Sequence, residues 1–169
     1  MNLNAPAPDF LLPDLNGKLY RLSDYRGQIV VVNFWSAECP WSEQSDSEIQ
    51  NTSEAWKGRV FILRVASNAH ETDEMLRDAS HARGLDIILK DSAAQVADLY
   101  EAQTTPHCFV VDENGILRYR GGFDDRTFRK RTASRLYLRE AVDALLAGRL
   151  PDVQETAPYG CTIARTGEG

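Results

Sequence analysis

Ile29-Val30-Val31-Val32-Asn33-Phe34-Trp35-Ser36-Ala37-Glu38-Cys39-Pro40-Trp41-Ser42 is the stretch that decides the fold. Its first half is a continuous apolar, β-branched run, the pattern of a strand buried on both faces of a parallel sheet. Its second half stops that strand and opens a helix, because Pro40 has no N–H to lose in a first helical turn. Cys39 therefore stands at a helix N-terminus, where unpaired backbone N–H groups and the positive end of the helix dipole favour a thiolate. The thiolate is the nucleophilic form of sulfur, so the position predicts a reactive cysteine rather than a small buried hydrophobe.

On either side of this stretch, strands alternate with helices. Phe10-Leu11-Leu12 and Leu19-Tyr20-Arg21-Leu22 flank Asn16-Gly17 and predict a hairpin with a two-residue turn. A helix is expected from Pro40 to about Trp56, with Ser42, Glu43, Gln44, Ser45, Asp46 and Ser47 facing water and Glu43 and Asp46 serving the helix dipole. Val60–Ala66 predicts a second central strand, and Thr72 or Asp73 opens a helix that ends at Gly84. Asp86–Leu89 is a short strand, followed by a helix capped by Ser92 that carries Val96, Leu99 and Tyr100. His107–Val111 and Ile116–Arg120 form a second hairpin around Asp112-Glu113-Asn114-Gly115. A last helix is expected from Ser134 to Ala147, with Leu138, Ala141, Val142 and Leu145 on one face. This order is that of an α/β three-layer sandwich. One domain, 1–150, is expected, with a tail, 151–169, that carries Cys161.

The formal net charge of −6 argues against nucleic acid and anionic membrane surfaces as partners. The first residues lack the basic and apolar parts of a signal peptide, and no stretch has the apolar length of a spanning helix, so a cytoplasmic protein is expected. Three cysteines are too few for a disulfide framework; in a reducing compartment they read as catalytic thiols. His70 and His81 have no metal-ligand spacing, and neither a metal nor another cofactor is expected.

Asn33-Phe34-Trp35 followed by Cys39-Pro40 resembles the active-site segment of thioredoxin-fold proteins, closest to the redoxin branch of bacterial thiol–disulfide oxidoreductases and AhpC/TSA peroxiredoxin-like proteins. Ala7-Pro8-Asp9-Phe10, Leu12-Pro13-Asp14, Asn16-Gly17-Lys18 and Leu22-Ser23-Asp24 are similar to the N-terminal hairpin of that branch. Thr105-Pro106 before an apolar strand resembles its cis-proline segment. The resemblance implies a thioredoxin-like three-layer sandwich with Thr105 and Pro106 beside Cys39. Ser36, Pro40, Trp41 and Ser42 then complete the neighbourhood of the active site, and the backbone before Pro106 pairs with an extended substrate segment. It also implies antioxidant or redox-homeostasis roles. The chain departs from the family at Ser42, which replaces the second cysteine of Cys-x-x-Cys and cannot close a disulfide. Asn33 replaces a buried, titrating Asp.

A second thiol must then come from elsewhere. Cys161 is the candidate: the tail from Gly148 has an extended reach of about 40 Å, against a radius of gyration near 15 Å for a domain of this size. Tyr159 and Ile163 are its expected anchors, and Pro-x-Gly-Cys-x-Ile resembles the ending of some redoxin-like bacterial proteins. The alternatives are an unpaired surface thiol at Cys161, or Cys108, a strand residue expected to be buried and inert, as the second thiol. His107 stands either where it adjusts Cys39 or in solvent. Glu38 opposes the thiolate or points to water. Arg126, Arg129, Lys130, Arg131 and Arg135 are a solvated basic run or a docking patch for an acidic partner or the glutathione carboxylates.

The leading reading is a thiol–disulfide oxidoreductase with Cys39 and Cys161 as catalytic thiols. It acts on a protein or small-molecule disulfide and is reset by a thiol reductant such as thioredoxin or glutathione. A peroxiredoxin-like peroxidase comes second, because Ser36 matches that family's hydroxyl position but Val32 stands in place of its proline. A binding module that kept the fold and lost the dithiol, or an iron–sulfur carrier like the monothiol glutaredoxins, comes third.

Overall fold

Strand β3 (Ile29–Trp35) is buried at every position and is the centre of the molecule. The computed structural model describes residues 1–56 and 58–165. Strand β4 (Val60–Ala66) lies parallel to β3, and β7 (His107–Val111) lies antiparallel on its other side. With β5 (Ile88–Lys90) and β8 (Leu117–Gly121) at the edges, the five-stranded order is β5-β4-β3-β7-β8. Side chains alternate across β3 and serve two cores. Val30, Val32 and Phe34 pack with Phe10, Tyr20, Tyr100 and Phe109 on one face. Ile29 and Val31 pack on the other with α1 (Pro40–Trp56) and α4 (Tyr137–Leu146), through Ile49, Leu138, Ala141 and Val142. Helix α2 (Asp73–Ala82) places Leu76 against Trp35 and Ile88. The three layers of a thioredoxin-like α/β sandwich follow, with the N-terminal hairpin β1 (Leu11–Pro13) and β2 (Leu19–Arg21) covering one face. Among the described residues, no helix is long and apolar enough to cross a membrane.

Four local expectations are corrected. The hairpin pairs as far as Asp14 and Lys18, so three residues form its loop, and the Asp14 carboxylate takes the N–H groups of Asn16 and Lys18. Helix α3 (Gln95–Leu99) is capped not by Ser92 but by buried Asp91, which accepts from the N–H groups of Val96 and Ala97. Ala94 enters the left-handed region at φ 53° to turn the chain between them. Helix α4 begins three residues late, because Ser134 is held in the preceding loop by Asp125. Finally, the opening turns of α1 face water on one side only: Glu43, Gln44 and Ser47 are exposed, whereas Ser42, Ser45 and Asp46 are buried.

The tail is part of the fold. Thr156 accepts from Gly122 N–H at 2.9 Å, shares a hydrogen bond with the Tyr119 hydroxyl at 2.7 Å, and donates its N–H to Arg120 O. Gly121, at φ 148°, leaves room for this approach, since a β-carbon there would collide with Thr156. Ile163 is fully buried in the core beside Tyr100 and Phe109. Burying such a side chain is worth about 2–3 kcal/mol, enough to hold a segment that is otherwise polar.

Candidate active site

Cys39 ends the β3–α1 connection, and its carbonyl accepts the N–H of Glu43 as the first turn of the helix closes. The thiol is buried, 2 % exposed, and donates to Thr105 O at 3.1 Å. The Thr105–Pro106 bond is cis, and Thr105 and Pro106 are both buried against the sulfur's surroundings. Strand β6 (Thr104–Thr105) pairs antiparallel with β9 (Cys161–Thr162), with Thr105 opposite Cys161. Ile163 N–H extends the pairing to Gln103 O at 3.1 Å. Thr105 therefore joins the two cysteines, its carbonyl taking the Cys39 thiol and its strand partner being Cys161, and both are free thiols.

The environment pushes the two thiols apart in acidity. Burial raises Cys39, but hydrogen bonds from the Cys161 thiol, the Thr105 side chain, and the N–H groups of Ser42 and Cys161 outweigh it. The net effect holds Cys39 below the ordinary thiol value. The Thr105 hydroxyl is buried and has no other partner among the described residues, which frees it to donate to the thiolate. Cys161 moves the other way, up to about 12, first by burial and then by the charge and hydrogen bonding of Cys39, with Glu71 adding to the effect. One sulfur is disposed to attack and the other to keep its proton.

The loop that carries Cys39 is fixed by groups absent from the sequence expectations. Glu71 accepts from the Ser36 hydroxyl at 2.9 Å and from Ala37 N–H at 3.0 Å. Arg83 donates to the carbonyls of Ser36 and Ala37 and lies 3.3 Å from Asp46. Asp46, buried in α1, also accepts from Trp35 Nε1 at 2.7 Å and Arg64 Nε at 2.8 Å. Two signals pointed to this network. Ser42, Ser45, Asp46 and Ile49 share helical spacing, and Arg64 is a lone charge in an apolar strand that needs a buried partner. Ser42 accepts Ser36 N–H at 3.3 Å, so the residue that replaces the second cysteine braces the loop.

The remaining candidates are placed as follows. Pro40 is exposed at the start of α1. Trp41 is half-buried and meets Tyr159 edge-on, with centroids 4.9 Å apart; exposed Phe128 also meets Tyr159 edge-on, at 5.2 Å. Cys108 is fully buried, its sulfur 3.8 Å from Asn33 Oδ1, and burial pushes its thiol far up, so it is not brought to Cys39. His107 fits neither expected position. It is buried, accepts Gln103 N–H at Nδ1, and lies against Phe109; burial and then Arg120 bring it down to about 4. Glu38 turns away to His70, 2.9 Å off on the surface. Three of the five basic residues are paired: Arg126 with Asp124 and Lys130 with Asp125 in the same loop, and Arg135 with Glu140 of α4. Among the described residues, no cluster of His, Cys, Asp or Glu fits a metal ion.

A cysteine at the N-terminus of the first helix, facing a cis-proline loop across a sheet of this order, defines a thioredoxin-like redox protein. Residues 3–120 match the AhpC/TSA family, and the chain belongs to it. A thiol–disulfide oxidoreductase ResA from Geobacillus kaustophilus is 35 % identical over 121 residues, covering 69 % of this chain and 67 % of that protein. A hypothetical protein of Sinorhizobium meliloti 1021 superposes with a TM-score of 0.87 at 30 % identity, covering 99 % of this chain and 96 % of its own. An uncharacterised conserved protein from G. kaustophilus gives a TM-score of 0.88 at 24 % identity over 99 % of this chain and 94 % of its own, a likeness of fold. The chain is an oxidoreductase of the thioredoxin-like class. The family match ends at residue 120, ahead of the tail and Cys161.

Proposed function

We propose that the protein is a two-thiol disulfide reductase in which Cys39 attacks and Cys161 resolves. The Cys39 thiolate attacks one sulfur of R–S–S–R′, forms Cys39–S–S–R and expels R′–S⁻. Cys161 then loses its proton and attacks the Cys39 sulfur, forming Cys39–S–S–Cys161 and releasing R–SH. An external thiol reductant, thioredoxin or glutathione, returns both cysteines to thiols. The observation that supports this reading is the β6–β9 register, which pairs Cys161 with Thr105, the residue whose carbonyl takes the Cys39 thiol.

Disulfide rather than peroxide chemistry is favoured by what surrounds Cys39. The Ser36 hydroxyl is engaged by Glu71, and among the described residues no arginine hydrogen-bonds the sulfur, so the hydroxyl–arginine pair of a peroxidase site is not assembled at Cys39. The test is turnover by Cys161→Ser. The variant is expected to form one mixed disulfide at Cys39 and stop, while Cys108→Ser turns over normally. Normal turnover by Cys161→Ser, or peroxide consumption that exceeds disulfide reduction, would overturn the proposal.

A further inference from the structure

The hydrogen bonds around Cys39 hold its thiol below the ordinary pKa, as suits an attacking sulfur, yet the residue is 2 % exposed. What covers it is the chain's own tail. An open backbone edge beside a reactive thiol is a place where an extended segment can add as a further strand. Here that edge is taken: Thr104 and Thr105 pair with Thr162 and Cys161, and Gln103 O takes Ile163 N–H. The fit is close, since a β-carbon on Gly160 would collide with the Thr105 carbonyl.

The segment is also fixed at both ends. Thr156 ties it to Tyr119 and Gly122 on one side. On the other, Ile163 is buried, Ala164 exchanges hydrogen bonds with Asn68 and Ala69, and Arg165 meets Asp98 at 2.7 Å. Cys161 itself is half-buried, more open than the Cys39 it accompanies.

We infer that residues 160–163 fill the substrate-strand groove, so that this site takes a low-molecular-weight disulfide and excludes extended protein chains. The inference rests on the proposed reaction of Cys39 and Cys161. A small disulfide has to reach only the Cys39 sulfur and needs no stretch of the β6 edge. A protein chain must lift a strand that is hydrogen-bonded along its length and anchored at both ends. It therefore reacts only through an opened state, and its apparent rate falls by the fraction of molecules in that state.

The test uses the reduced full-length protein, with loss of the Cys39 thiol followed by quenched-flow mass spectrometry. Glutathione disulfide is the small probe and oxidised insulin the protein probe. The wild type is expected to react about 100-fold faster with glutathione disulfide, as an open state populated at the per-cent level requires. Gly160→Ala and, independently, Ile163→Ala loosen the tail and should raise the insulin rate about tenfold or more, a gain that misfolding would not produce selectively. Equal rates with the two probes in the wild type, or an insulin rate that neither variant raises, would overturn the inference and leave the reaction standing. Failure of both probes to consume Cys39 in every protein would overturn the reaction and the inference together.

Discussion

Cys39 is reactive through its neighbours more than through the helix alone. Its thiolate is held by a thiol, a hydroxyl and two backbone N–H groups, and the first of these belongs to Cys161. Cys161→Ala removes that donor and is expected to raise the pH midpoint of Cys39 alkylation towards the ordinary value of about 8.5, whereas Cys161→Ser, which keeps a donor, raises it less. Iodoacetamide rates against pH measure the difference. His107 gives a second residue-scale prediction. Burial holds it neutral down to about 4, while in the unfolded chain it protonates near the ordinary histidine value of 6.5. The unfolded state therefore binds the extra proton between these values. Stability from this group is intact above the unfolded value, falls as pH drops towards 4 and is constant below it, with a total loss of at most about 3 kcal/mol. Urea unfolding at pH 7 and pH 4.5 should show this slope, and His107→Gln should flatten it.

At the scale of elements, the expectations that held were those written locally. The β-branched run of β3, Cys39-Pro40 at a strand-to-helix junction and Thr105-Pro106 before β7 each carry their own conformational reason within a few residues. The misreadings arose where a distant partner decides. Asp46 looked like a dipole residue because the neighbouring polar residues of α1 hid its face; only the folded chain brings Arg64, Arg83 and Trp35 to it. Ser92 looked like a cap because serine suits that role, but Asp91, two residues after the end of its strand's apolar pair, takes both helix N–H groups. The Asp46 network makes its own prediction. Asp46→Ala leaves two guanidinium groups facing a buried gap and is expected to cost about 3–5 kcal/mol in urea unfolding. It should also slow disulfide turnover, because Arg83 holds the carbonyls of the Cys39 loop.

For the whole molecule, the tail is packed against the body of the fold and pairs with the strand beside Cys39. The length of the tail allowed Cys161 to reach Cys39, but its path depends on Thr156 with Tyr119 and on Ile163 in the core, contacts between residues far apart in sequence. Because the reduced protein already orders this segment, closing the disulfide costs little further chain entropy. A loop of about 120 residues would then stabilise the oxidised protein by about 4–5 kcal/mol before strain. Differential scanning calorimetry should find oxidised protein melting well above reduced protein, a gap that Cys161→Ser closes and Cys108→Ser leaves. The most direct test of the account as a whole is non-reducing peptide mapping after one equivalent of a small disulfide. The account predicts one intramolecular link, between the peptides carrying Cys39 and Cys161, with Cys108 recovered as a free thiol. A Cys39–Cys108 link, or a link between two copies of the chain, would contradict it.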